Sequence, residues 1–129
     1  MRYVALIYEA EQDPSTVAPE VWGQVIDAYN AFGEESQAAG VNESGAALEP
    51  TQTATSVRVR DGKTLTTDGP FAETKEALGG FYILKADDLD EAISWAAKIP
   101  GAQTGTVEVR PVMEFDEDGQ PVAGEGATA

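Results

Sequence analysis

The chain predicts an α+β domain in which a duplicated plan of strand, helix and strand carries an inserted β-hairpin. Three observations lead there. Residues 3–8 and 81–84 are apolar on both alternating sets, as in strands covered on both faces. Two segments, beginning near Pro19 and near residue 87, repeat apolar residues at helical spacing. Between them, Asp61-Gly62 separates two β-prone arms, a strong two-residue hairpin signal.

Taken in order, Tyr3, Ala5 and Ile7 alternate with Val4, Leu6 and Tyr8 in the first strand. After a polar loop containing Pro14, Pro19 occupies the first helical position, where its missing N–H is not needed. Trp22, Val25, Ile26, Tyr29 and Phe32 then form one apolar stripe, expected to be core, and Gly40 supplies the stop. A short strand is expected near residues 45–48, ending at Pro50. Residues 54–60 and 63–67 form the hairpin arms, Val57 and Val59 alternating with Arg58 and Arg60 so that one face is wet. Residues 68–78 connect the hairpin to a strand opened by Gly79-Gly80. Asp87 is expected to cap the second helix, with Asp88, Asp90 and Glu91 at its positive end, and Pro100 to end it. Residues 106–112 form the last strand. Residues 1–115 thus make one domain, and residues 116–129 an acidic, Gly/Ala-rich tail expected to be flexible.

Composition narrows the chemistry. In 129 residues there is no Cys and no His, which removes disulfides, thiolate nucleophiles, Ser-His-Asp hydrolysis and His- or Cys-ligated zinc. Carboxylates, Tyr, Lys, Arg and hydroxyls remain, and no cofactor is implied. A net charge of −15 repels phosphate backbones and argues against nucleic acid as a partner. The N-terminal apolar run is too short for a membrane span or signal peptide, so the expected location is cytoplasmic. The tail acids Glu114, Asp116, Glu117 and Asp118 lack the glycine-spaced loop of a calcium site and read as solvated.

Counting covers leads to an expectation about assembly. Strands apolar on both faces need shelter on both, yet two right-handed crossovers place both helices on one side. Either a second copy covers the other face, giving a two-fold homodimer, or the inserted hairpin folds over it.

The stretch Asp68-Gly69-Pro70-Phe71-Ala72-Glu73-Thr74-Lys75-Glu76, followed by Leu78-Gly79-Gly80-Phe81-Tyr82, resembles the signature of the DGPF-type members of the YCII-related family. Arg58-Val59-Arg60-Asp61-Gly62, Asp88-Leu89-Asp90-Glu91-Ala92, Trp95-Ala96-Ala97 and Val107-Glu108-Val109-Arg110-Pro111-Val112 extend the match over residues 2 to 114. The resemblance implies a ferredoxin-like βαββαβ fold assembled as a dimeric α+β barrel. Some YCII relatives carry a His-Asp pair proposed as catalytic, and some act as dehydrochlorinase-like enzymes on aromatic substrates. With no His, this chain cannot use that pair. Some DGPF-type relatives are encoded near extracytoplasmic-function sigma factors, which points toward regulation.

The segment 68–76 is the candidate site. Asp68-Gly69-Pro70 is turn chemistry, Phe71 is expected to anchor the loop in the core, and Gly79-Gly80 let a ligand or backbone approach. For catalysis the available pair is Asp68 with Glu73, one carboxyl raised in pKa by burial and the other ionised. The ligand-binding set is Phe71, Lys75, Tyr82 and Arg110, with Lys75 or Arg110 on an anionic group. Two functions stay open: a small-molecule-binding or regulatory dimer with a cleft near this loop, and a weak lyase or isomerase-like enzyme using carboxylates. Carboxylates pointing into bulk water would argue against the second.

Overall fold

A computed structural model describes residues 1–122. In chain order its elements are β1 (Arg2–Glu9), α1 (Pro19–Ala38), β2 (Asn42–Ala47), β3 (Thr55–Arg60), β4 (Lys63–Asp68), β5 (Ala77–Lys85), α2 (Leu89–Ala96), α3 (Gly101–Thr104), β6 (Thr106–Pro111), β7 (Glu114–Phe115) and β8 (Pro121–Val122). Short 3₁₀ turns stand at Pro14–Thr16 and Thr51–Thr53. Four strands form one antiparallel sheet in the order β2-β5-β1-β6. The architecture is therefore a mixed α+β one, with β3 and β4 paired apart from that sheet and β7 paired with β8.

Strand parity decides which side chains meet the helices. In β1 the odd residues Tyr3, Ala5 and Ile7 are buried. Opposite them on the same face stand Leu84 and Tyr82 of β5 and Val109 and Val107 of β6. Phe32 of α1, Ala92 and Ala96 of α2, and Ile99 pack onto this face, so both helices lie on one side. On the opposite face Val4, Leu6, Phe81 and Ile83 form a half-buried apolar centre, bordered by Ser44 on β2 and by Glu108 and Arg110 on β6.

The hairpin β3–β4 does not cover that second face. Asp61 and Gly62 take φ of 53° and 74°, the two left-handed residues of a tight hairpin turn. Every residue of β4 is exposed, and in β3 only Ser56 is not. Phe71, expected in the core, is 81% exposed. The loop that carries it leaves an exposed strand and returns at Ala77, two residues earlier than expected, without crossing the packed face.

The helices end by recognisable chemistry. Gly40, at φ 73°, closes α1: its N–H reaches the Gln37 carbonyl at 3.0 Å, and the Val41 N–H reaches that of Ser36 at 3.0 Å. Buried Ser36 donates to the Phe32 carbonyl at 2.7 Å and accepts from Asn42 Nδ2 at 3.1 Å, so it is fully satisfied. At α2 the cap is Asp88 rather than the expected Asp87: Asp88 Oδ1 accepts from the Glu91 N–H at 2.9 Å. Asp88 has the extended backbone that a cap requires, and Asp87 lies outside the helix. The helix ends at Ala96, before Pro100, with the Ile99 N–H on the Ala96 carbonyl at 3.1 Å.

Of the segment expected to be flexible from residue 116, the structure describes residues up to Val122. Asp116 Oδ1 accepts from the Asp118 and Gln120 amides, both at 2.9 Å, which turns the chain back to pair β8 with β7. Arg2 holds this hairpin to β1, its Nε and Nη2 donating to the two Glu114 carboxylate oxygens at 2.9 and 3.0 Å. The rest of the expected tail, 123–129, lies outside the described residues.

Candidate functional site

The apolar stripe of α1 does not bury as a whole. Phe32 is 3% exposed, yet Trp22 is 41% and Ile26 56% exposed, against the expectation that both are core. The reason lies opposite the helix. β2 reads Asn-Glu-Ser-Gly-Ala-Ala, and β5 begins Ala-Leu-Gly-Gly, so the sheet offers backbone and methyl groups where large side chains would fill the gap. Those glycines are required for the strands to approach. A Cβ on Gly80 would stand 2.8 Å from the Ala46 carbonyl oxygen, and one on Gly45 would stand 2.7 Å from both the Phe81 carbonyl oxygen and the Tyr82 ring.

The result is a cavity of about 730 Å³ between α1, from Trp22 to Gln37, the edge strand β2 and the start of β5. That volume suits a small organic molecule. Trp22, Val25 and Tyr29 wall it from the helix side, Tyr82 and Gly79-Gly80 from the sheet, and Leu48 and Pro50 from the segment after β2. Glu9, Glu11, Glu43 and Glu49 also line it. The Tyr82 ring leans on Phe32, centroids 5.0 Å apart and planes tilted by 58°, which fixes one wall to the core.

Glu9, which closes β1, and Tyr29 of α1 both line the cavity and meet beside Gly101, which opens α3 and does not line it. A Cβ on Gly101 would meet Glu9 Oε1 at 2.6 Å and the Tyr29 hydroxyl oxygen at 3.0 Å, so the carboxylate and the phenol converge there. Burial, and then the nearby Glu9 charge, push Tyr29 up to about 12, although a hydrogen bond from the Gly101 amide acts the other way. Burial also raises Tyr82. Both phenols are therefore neutral donors at ordinary pH.

Of the six candidate site residues Asp68, Glu73, Phe71, Lys75, Tyr82 and Arg110, Tyr82 alone lines this cavity, beside Gly79 and Gly80, which are expected to let a ligand approach. Asp68 ends β4 and Glu73 lies in the following loop; both are exposed and neither borders the cavity. Phe71 and Lys75 are exposed on that loop too, and Arg110 sits on the helix-free face, its Nε 3.8 Å from Glu108 Oε2. The helical spacing of Trp22 and Tyr29 reads as core rather than as a ligand platform, and Glu9 carries no signal. An aromatic helix stripe followed by a strand of Gly, Ala and Ser was the available signal. Among the described residues no three acidic side chains gather to hold a metal ion, and no helix is long and apolar enough to cross a membrane.

An α+β sheet with a ligand-sized gap beneath its first helix defines a class of small domains whose chemistry depends on what lines the gap. Residues 1–116 match the YCII-related domain, and the chain belongs to that family. A relative from Rhizobium meliloti (strain 1021), described as an uncharacterised protein, is 39% identical over 117 residues, which is 89% of this chain and 94% of the relative.

Proposed function

We propose that this protein binds a small organic molecule in the cavity beneath α1, as a homodimeric, regulatory rather than catalytic protein. The cavity itself carries this reading: about 730 Å³, walled by Trp22, Tyr29 and Tyr82, and adjoining the point where the DGPF-type loop re-enters the sheet at Ala77. The strand order β2-β5-β1-β6 supports a ferredoxin-like βαββαβ arrangement with an inserted hairpin. The apolar centre of the helix-free face, which neither helix nor hairpin covers, supports pairing with a second copy into a dimeric α+β barrel. Residues 1–115 are the working unit in this reading, residues 116–129 an appendage, and the cytoplasm the proposed location.

A thermal-shift screen against metabolites and small anions, repeated with Trp22→Ala, tests the binding reading. A ligand that raises the melting temperature of the native chain and not of the variant supports it. A hit insensitive to Trp22→Ala removes the cavity as its site. Sedimentation tests the assembly, and a stable monomer at micromolar concentration overturns it.

The carboxylate enzyme is the second reading, and Glu9 is the observation in its favour. This carboxylate borders the cavity, while Asp68 and Glu73 are exposed outside it. A Tyr29 phenol held up to about 12 is a weak acid and serves better as a fixed hydrogen-bond donor than as a proton shuttle. Once a ligand is known, product formation that stops with Glu9→Gln would favour catalysis.

A further inference from the structure

The cavity has a sign. Among the described residues, four acidic ones, Glu9, Glu11, Glu43 and Glu49, line it and no lysine or arginine does, although the Glu43 carboxylate turns toward Arg2 on the helix-free face. One of the four has a cation at hand: Glu43 Oε1 lies 3.7 Å from Arg2 Nη1, on a guanidinium already engaged by Glu114. Glu11 accepts from the Thr51 amide and hydroxyl at 2.8 and 2.9 Å, bonds that hold it in place and leave its charge uncompensated. The aromatic walls add to this. The π faces of Trp22, Tyr29 and Tyr82 attract positive charge, and Trp22 is 41% exposed. A carboxylate ligand would meet this field together with the −15 charge of the whole chain, and no guanidinium would receive it.

Resting on the small-molecule reading above, we infer that the ligand is an organic cation: a primary amine or quaternary ammonium group attached to an aromatic or aliphatic body. The body lies between Trp22 and the Gly79-Gly80 floor. The cationic head faces the Glu9 carboxylate, which converges with the Tyr29 hydroxyl beside Gly101. The carboxylate accepts from the ammonium group, and the Tyr29 hydroxyl, donating to Glu9, holds that carboxylate in place.

Calorimetry on the full chain with three probes of matched body, 2-phenylethylamine, 2-phenylethanol and 3-phenylpropanoate, tests this. The amine is expected to bind about ten-fold more tightly than the alcohol, the equivalent of one charge-assisted contact, and the carboxylate more weakly than either. Glu9→Gln should bring the amine down to the level of the alcohol and leave the alcohol unchanged. Trp22→Ala should weaken both. Should Glu9→Gln fail to fold, Glu49→Gln with a salt titration replaces it, and amine affinity should fall in either case. Amine and alcohol binding equally, or the carboxylate binding best, overturns the cation inference and leaves the cavity reading standing. If no probe of either charge binds, and the metabolite screen also finds nothing, the small-molecule reading falls with it.

Discussion

Glu9 and Tyr29 converge on a glycine: both the carboxylate and the hydroxyl lie within 3.0 Å of the point where a side chain on Gly101 would begin. Ile7 Cγ2 stands at 2.7 Å from the same point, so three elements meet where only a hydrogen fits. Gly101→Ala should therefore destabilise the fold by about 1–3 kcal/mol, the usual cost of overpacking a closed site. By displacing Glu9 and Tyr29 it should also weaken any ligand held against them. Denaturant midpoints at constant m-value measure the first effect, and an unchanged midpoint would show that the site opens freely.

The Tyr29 phenol gives a pH signature. Its native pKa, raised from 10.0 to about 12, exceeds that of the unfolded chain, so the native state keeps the proton that the unfolded state loses. The stabilisation is complete below pH 10 and is lost as pH rises through about 12. Tyr82 acts in the same direction. Unfolding of Tyr29→Phe should show a shallower alkaline decline than the native chain; identical slopes would mean that Tyr29 titrates normally.

At the other end of the pH scale, the Arg2 hydrogen bonds hold Glu114 below the usual carboxylate range. Its depressed native pKa contributes stability above the unfolded value and loses it as pH falls through the native one. Both side chains are exposed, so the effect on global stability is small. The sensitive measurement is local: amide exchange over 114–122 should accelerate in Glu114→Gln at neutral pH and match the native chain in acid.

Gly40 permits a simple backbone test. At φ 73° and with open space around it, alanine there meets no clash and suffers only the left-handed backbone. Gly40→Ala should cost about 1 kcal/mol. Leu84→Ala, at a fully buried position, should cost about 2–5 kcal/mol. A ranking in the reverse order would place the core elsewhere.

The sequence announced the sheet more clearly than the site, and the reasons are local. The period-two runs 3–8 and 81–84 marked β1 and β5 because strands apolar on both sides leave little ambiguity, and Asp61-Gly62 marked the hairpin because few residues tolerate two successive positive φ values. Phe71 misled because hydrophobicity reports a need for cover without saying where the cover comes from. Trp22 misled for a related reason: helical spacing shows which residues share a face, and only the sheet opposite shows whether that face is filled. Glu9 carried no signal, since its partners Tyr29 and Gly101 are far from it in the chain. Asp87 and Asp88 were one residue apart, within the ordinary uncertainty of helix ends.

The four-stranded sheet ends in two unlike borders. β6 presents Glu108 and Arg110, charges that discourage another chain from adding itself, whereas β2 continues from Ser44 into Gly45, Ala46 and Ala47, which discourage nothing. The small residues that hollow out the space beneath α1 thus also leave one margin unguarded. Much of the burden of keeping copies from stacking side by side falls on the mutual repulsion of a chain at −15. Acidification toward the isoelectric point, about 4.1, removes that protection, and the first disorderly aggregation should start along β2.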